Sequence, residues 1–250
     1  MGFWPVVIAM IRNVDIVVVV GDARMPDISI NQETVNIAQQ KGKRVVKVFT
    51  KSDLVSRQQL TLLRTQFPDA YFVAGVKNEG VSTLRRGLQI LAKQFRLDEP
   101  KIGIAGYPNI GKSALINALA RGRRAHVSNQ PGTTKGVQWV KVGGLMILDS
   151  PGVIPVEDKN RKLALLGSKS PEKLNAPEKN AFDILTMLVV KAPDQLMKHY
   201  NLTEIPSELY DLLLAIGTSR HFLKKGGTVD EDRTAKMIIR EWQTGKLRVS

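Results

Sequence analysis

Residues 106–113 read GYPNIGKS, a complete G-x-x-x-x-G-K-S, with an apolar run at 101–106 before it and an apolar stretch at 114–120 after it. A glycine-rich turn set between a strand and a helix lets successive backbone N–H groups curl around phosphate oxygens, and the helix N-terminus adds its positive end. Any chain that uses this motif must bury a strand and follow it with a helix, which commits it to a layered α/β fold. In such a loop Lys112 is expected to reach the β and γ oxygens of a nucleoside triphosphate and Ser113 to ligate Mg2+. Asn109, Ile110, Gly111 and Ala114 complete the expected phosphate lining.

The rest of the chain repeats this alternation. Apolar, β-branched runs at 14–20, 44–49, 70–74, 101–106, 137–142 and 145–148 each end in a polar or glycine-rich loop. Segments near 31–41, 57–66, 82–95 and 112–121 carry helical spacing between them. The pattern predicts a doubly wound, mostly parallel sheet whose strand C-termini present their loops along one edge, where ligands bind. Residues 1–155 are expected to form this nucleotide domain. Residues 156–180, rich in Lys, Pro, Ser and Asn, read as a linker or switch segment, and 181–250 as a small helical domain.

Four further loops bear on chemistry. DSPG (149–152) closes an apolar strand, so Asp149 is placed to hold the magnesium shell, through water, and the Gly152 N–H to sense the γ-phosphate. PGTTKG (131–136) lies between the phosphate loop and DSPG, where Thr134, and secondarily Thr133, would complete the metal site; an ordinary turn is the alternative for Pro131-Gly132. TKSD (50–53) follows a strand. Asp53 there offers a carboxylate to guanine N1 and N2, groups that adenine does not present, while the Lys51 stem packs along the ring. By itself TKSD also fits a helix cap, with Ser52 or Asp53 capping 57–66. The next strand ends in Ala74-Gly75-Val76-Lys77, which resembles the second base-contacting loop of GTPases.

The five loops run in the order TKSD, AGVK, GYPNIGKS, PGTTKG, DSPG, with the base-reading pair ahead of the phosphate loop. That order resembles the circularly permuted ribosome-assembly GTPases of the YlqF and nucleostemin-like family, and GDARMP (21–26) resembles their DARxP element. Permutation keeps the sheet and moves the cut, the old termini being joined by a short link such as 96–100. The resemblance implies GTP hydrolysis to GDP with Mg2+, and a switch role in assembly of the large ribosomal subunit with ribosomal RNA as partner. Lys112, Asn109 and Thr134 are its implied catalytic set, with Asn109 holding a K+ beside the phosphates. Val153 stands where many GTPases place a water-orienting glutamine, so the expected intrinsic rate is slow and stimulated by potassium and a ribosomal partner. Thr50 replaces the usual asparagine of NKxD, which is expected to remove one anchor between the base loop and the phosphate loop.

Composition narrows the alternatives. Cysteine is absent, which excludes disulfides, Cys-based zinc sites and thiol nucleophiles. Apolar runs such as 16–20 are far below the roughly 20 residues that span a bilayer. With no basic leader at the start, the expectation is a cytoplasmic protein without membrane attachment. The net charge of +14 suits a polyanionic partner, and residues 101–180 alone carry 13 basic against 5 acidic groups. Residues 220–248 bring Arg220, Lys224, Lys225, Arg233, Lys236, Arg240, Lys246 and Arg248 together with Phe222 and Trp242, similar to the family's RNA-contacting region. A solvated helical face over core aromatics explains that stretch equally well. Two other functions remain open: a nucleotide-responsive RNA-binding scaffold with negligible hydrolysis, and a metabolic P-loop kinase, for which TKSD and AGVK would be coincidences.

Overall fold

A computed structural model describes residues 4–121, 126–128, 139–150, 152 and 160–249. The chain divides into two compact units, one of residues 1–53 and 60–157, the other of residues 54–59 and 158–250.

The first unit opens with helix α1 (Trp4–Asn13) and strand β1 (Ile16–Asp22), continues through a short helix α2 (Pro26–Ser29) and α3 (Gln32–Gln40), and reaches β2 (Arg44–Thr50). After α4 (Arg57–Gln66), which begins in the second unit's segment, come β3 (Tyr71–Phe72), α5 (Val81–Gln94), β4 (Lys101–Gly106) and α6 (Lys112–Ala120). Strands β5 (His126–Ser128), β6 (Trp139–Val142) and β7 (Leu145–Asp149) complete a seven-stranded sheet of order β3-β2-β1-β4-β7-β6-β5. The pairs within β3-β2-β1-β4-β7 are parallel, and β7-β6-β5 is antiparallel. The doubly wound, mostly parallel sheet expected from the alternation is therefore present, with an antiparallel edge.

Strand β1 is buried at all seven positions, as its unbroken Val/Ile run requires of a strand covered on both faces. Helix α1 supplies part of that cover. Val7, Met10 and Ile11 join Val14, Val17, Val19, Val35, Ala38, Ala105, Trp139 and Leu148 in one core cluster. Met10 lies so close to β4 that a Cβ on Gly103 would sit 2.7 Å from its sulfur. The spacing of Val7, Met10, Ile11 and Val14 is the i, i+3, i+4, i+7 of a helical face, a signal present in the sequence ahead of the first strand.

From β1 the chain adds β2 and β3 on one side, then crosses back to place β4 on the other. This makes the β1/β4 boundary the topological switch point, where a crevice opens at the strand C-termini. The register aligns the ends: Asp22 pairs with Thr50, Val20 with Gly106, and Ile104 with Asp149.

The second unit is helical: α7 (Asn160–Leu165), a 3-10 turn at Pro171–Lys173, then α8 (Pro177–Lys191), α9 (Pro193–Tyr200), α10 (Leu209–Ser219) and α11 (Glu231–Gln243). The expected linker over 156–180 thus contains a helix and a helical turn from residue 160 onward, and α8 begins inside it. Proline opens the turn and both α8 and α9, where its missing N–H costs nothing. Helix α11 packs mainly on α8 and buries Trp242 completely, with the indole Nε1 donating to the Leu165 carbonyl at 2.8 Å. Asp230 caps α11 by accepting from the Arg233 N–H at 3.1 Å. Residues 54–56 pair in parallel with the C-terminal stretch: Val55 bridges Val249, Val249 N–H donates to Leu54 O at 2.9 Å, and Ser56 N–H to Val249 O at 3.2 Å.

Candidate functional site

Three strands deliver the phosphate loop and its neighbours to one edge. The loop leaves β4 at Gly106 and enters α6 at Lys112, with Asn109 (φ 57°) and Gly111 (φ 109°) both left-handed. Such backbone turns successive N–H groups inward, the geometry that forms an anion nest. Ile110 and Tyr107 are fully buried and pin the loop from below, whereas Asn109 and Ser113 are exposed. Lys112 is 7% exposed and folds back over the loop, its Nζ donating to Tyr107 O at 2.8 Å and Gly106 O at 3.2 Å. The ammonium thus rests on two carbonyls of its own loop.

The TKSD loop connects to this loop directly. Thr50 Oγ1 lies 2.5 Å from the Ile110 carbonyl and 2.9 Å from the Gly21 carbonyl. The hydroxyl has one hydrogen, and Ile110 is the nearer acceptor. The expected loss of an anchor at Thr50 is therefore corrected: the threonine hydroxyl itself ties the base loop to the phosphate loop. The contact is close enough that a Cβ on Gly111 would meet Thr50 Oγ1 at 3.0 Å, so Gly111 is required by position as well as by φ. Ser52 is buried and its N–H donates to Val73 O at 3.2 Å, which fixes TKSD against the end of the next strand.

Asp53 and the 74–79 loop face each other. Lys77 Nζ stands 3.6 Å from Asp53 Oδ2, and the 74–79 loop is closed by reciprocal backbone bonds between Ala74 and Glu79. Gly75 backs onto the first turn of α6, where an added Cβ would lie 3.0 Å from the Ala114 carbonyl oxygen. Val76 is 78% exposed, so a base entering here would find its side chain accessible.

On the other side of the loop, Asp149 closes β7, and Ser150 donates from Oγ to Ile104 O at 2.8 Å. Gly152 lies against the phosphate loop, with room for no side chain: a Cβ would meet the Pro108 N at 2.6 Å. Thr133, Thr134 and Val153 lie outside the described residues. Among the described residues no three His, Asp or Glu side chains gather around one point. A cation here would instead use hard oxygen donors shared with phosphate, which suits Mg2+ at the exposed Ser113 hydroxyl.

Sequence reasoning left GDARMP without a role, although a carboxylate closing an all-apolar strand was a signal. Asp22 is fully buried at the end of β1. Its Oδ1 accepts from the Arg24 N–H at 3.0 Å and Arg24 Nε at 3.1 Å, and its Oδ2 from Arg24 Nη2 at 2.8 Å and Lys51 Nζ at 2.9 Å. Burial alone would raise the Asp22 carboxyl, but the Arg24 and Lys51 charges outweigh it and hold it at about 2. Burial pulls the Lys51 ammonium below its ordinary range, an effect Asp22 opposes.

In the helical unit, the basic stretch is mostly committed to its own neighbours. Arg240 pairs with Glu172, Lys236 with Asp232, Arg233 lies 4.1 Å over the Phe222 ring, and Arg220 donates to His199 O at 3.0 Å. Trp242 is core, not surface. Lys224, Lys225, Lys246 and Arg248 remain exposed.

Comparison with known proteins bears on the family and the fold. Residues 6–157 match the RsgA GTPase family and residues 101–215 the 50S ribosome-binding GTPase family. The chain is 35% identical to ribosome biogenesis GTPase A of Priestia megaterium, covering 95% of this chain and 88% of that protein. It is 36% identical to an uncharacterized GTP-binding protein of Methanocaldococcus jannaschii, over 95% of this chain but only 64% of that longer relative. In fold it is similar to the GDP-bound structure of YlqF, with a TM-score of 0.64 and 23% identity over 96% of this chain and 94% of that one.

Proposed function

Because the chain belongs to the circularly permuted ribosome-assembly GTPases, we propose that it binds GTP, hydrolyses it to GDP and phosphate, and acts as a nucleotide switch in assembly of the large ribosomal subunit. The observation that carries this reading is the convergence of permuted loops on one sheet edge: Thr50 on Ile110, Gly75 on Ala114 and Gly152 on Pro108.

In this reading Asp53 accepts from guanine N1 and N2, the Lys51 stem and the 74–76 loop hold the base, and the 109–114 backbone cradles the phosphates. Lys112 exchanges its carbonyl partners for β and γ oxygens and stabilises charge that develops as water attacks the γ-phosphorus. Ser113, Asp149 and Thr134 are the residues assigned to Mg2+, which would neutralise the phosphate oxygens when bound. Asn109, exposed in left-handed backbone beside the phosphates, is assigned to a K+ that would add positive charge there. Gly152 reports the γ-phosphate through its N–H. Hydrolysis is slow alone and stimulated by ribosomal RNA or subunits; the net charge of +14, concentrated in 101–180, supports such a partner. The place of action in this reading is the cytoplasm; no helix among the described residues is long and apolar enough to cross a membrane.

Titration of fluorescent GTP, GDP and ATP analogues in potassium buffer tests the assignment, with Lys112→Ala and Asp53→Asn alongside. Guanine-selective binding that Lys112→Ala weakens on the order of 100-fold, and Asp53→Asn makes unselective, is the expected result. Equal ATP binding by the unmodified protein would overturn it. Hydrolysis at equal rates in K+ and Na+ would overturn the assignment of K+ to Asn109.

A further inference from the structure

The GDAR element and the base-reading loop meet at one buried carboxylate. Asp22 is 0% exposed, and two cations share it: Arg24, itself 2% exposed, and Lys51 of TKSD. Lys51 has non-glycine left-handed backbone (φ 58°), a conformation that needs outside support to persist. Support comes from both neighbours in sequence, since Thr50 is bonded to Ile110 and Ser52 to Val73. At Lys51 itself the only ion-pair partner among the described residues is Asp22. The lysine side chain is 20% exposed, so its ammonium lies at the boundary between solvent and the buried carboxylate. Lysine is a flexible point charge whose stem follows wherever its head is held. Without the carboxylate, the ammonium's better environment is water, and the stem leaves the loop surface with it.

We propose that Asp22 is a positioning residue for nucleotide: its ion pair with Lys51 holds the lysine stem against the face of the guanine ring. This rests on the proposed guanine site and adds to it a component contributed by β1, from outside the base-reading loops. Arg24 completes the device by occupying the rest of the carboxylate, so that a buried acid beside a nucleotide site carries no uncompensated negative charge.

Asn in place of Asp22 preserves the shape and an acceptor for the Arg24 N–H and Nε, but turns an N–H₂ toward Lys51 Nζ. Asp22→Asn is therefore expected to weaken GDP and GTP binding about tenfold while kcat at saturating GTP changes less than twofold. Because the ring face and not the base edge is affected, binding of inosine diphosphate weakens by the same factor. In a Lys51→Met background the Asp22→Asn change is expected to add no further loss, the signature of action through Lys51. If the asparagine variant does not fold, Asp22→Glu, which keeps the charge for Arg24 and displaces the carboxylate by one methylene, reads the same quantity. Undiminished GDP affinity in the Asp22 variant, or losses that simply add to those of Lys51→Met, would overturn the proposal. Failure of the unmodified protein to select guanine would instead overturn the functional reading beneath it.

Discussion

Left-handed backbone at non-glycine residues occurs in both units, and the sheet unit gives it a second use that the helical unit does not. In the helical unit Asn201 (φ 53°) and His221 (φ 55°) sit just past α9 and α10, where such a residue ends a helix by redirecting the chain. In the sheet unit Lys51 and Asn109 adopt the same φ inside the two loops that converge at the strand C-termini. Buried polar groups divide likewise. Besides Asn31 and Thr34 at the start of α3, the sheet unit concentrates Asp22, Arg24, Thr50, Ser52, Lys112 and Ser150 along one edge, whereas the helical unit buries Asn180 and Thr234 within its helix packing. Tyr200, also buried there, shares the Glu241 carboxylate with His199, both at 2.9 Å. Arg96 (φ 51°) ends α5 in the same way, so the conformation terminates helices in both units, and only where a parallel sheet gathers loops at one edge does it also aim donors and cations.

The contrast breaks most sharply at the core of the helical unit. Trp242→Ala is expected to cost about 3–5 kcal/mol through cavity formation and loss of the bond to Leu165 O, measured by urea denaturation. GDP affinity of the folded variant should stay within about twofold of the parent; a large loss would mean that packing in one unit and binding in the other are not separable. A smaller effect belongs to Asp22. Its folded carboxyl is held at about 2 against an ordinary 3.8, so the stability it contributes is complete above pH 3.8 and disappears as pH falls through 2. The stability gap between the parent and Asp22→Asn should therefore shrink by on the order of 2 kcal/mol between pH 5 and pH 2. A gap independent of pH would show that the carboxylate's charge is not what matters. The smallest expected change sharpens the site itself: Thr50→Val removes the hydroxyl at nearly constant volume, leaves the Ile110 carbonyl without its donor, and should weaken GDP binding by about 1 kcal/mol, or roughly fivefold. Calorimetric titration of this variant would show no change if the base and phosphate loops were held together by other contacts.

Legibility in the sequence followed the range of the interactions. Strands β1, β2, β4 and β7 and helix α4 were readable because hydrophobic period and flanking turn residues are local properties. Strand β5 and helix α7 were not: the first is three residues long and exists through its ladder to β6, and the second lies in a polar stretch. Residues 54–59 follow the TKSD loop in sequence yet belong with the helical unit, because their backbone groups pair with Val249, nearly two hundred positions away. Thr50 was read as a weakness because its sequence position shows only the missing asparagine, not the carbonyl of Ile110 within reach of its hydroxyl.

What the sequence by itself determined was the kind of fold and the chemistry carried by each loop, since apolar periodicity, glycine placement and the permuted order of GYPNIGKS, DSPG, TKSD and AGVK are written along the chain. Only the tertiary structure decided which side chains complete one another. Asp22 and Lys51 meet because parallel pairing of β1 with β2 brings the two strand ends to one register, and Thr50 reaches Ile110 because β4 lies on the other side of β1. Contacts of this kind depend on where a crossover returns the chain, and a crossover is settled by the packing of the whole sheet rather than by any segment of it.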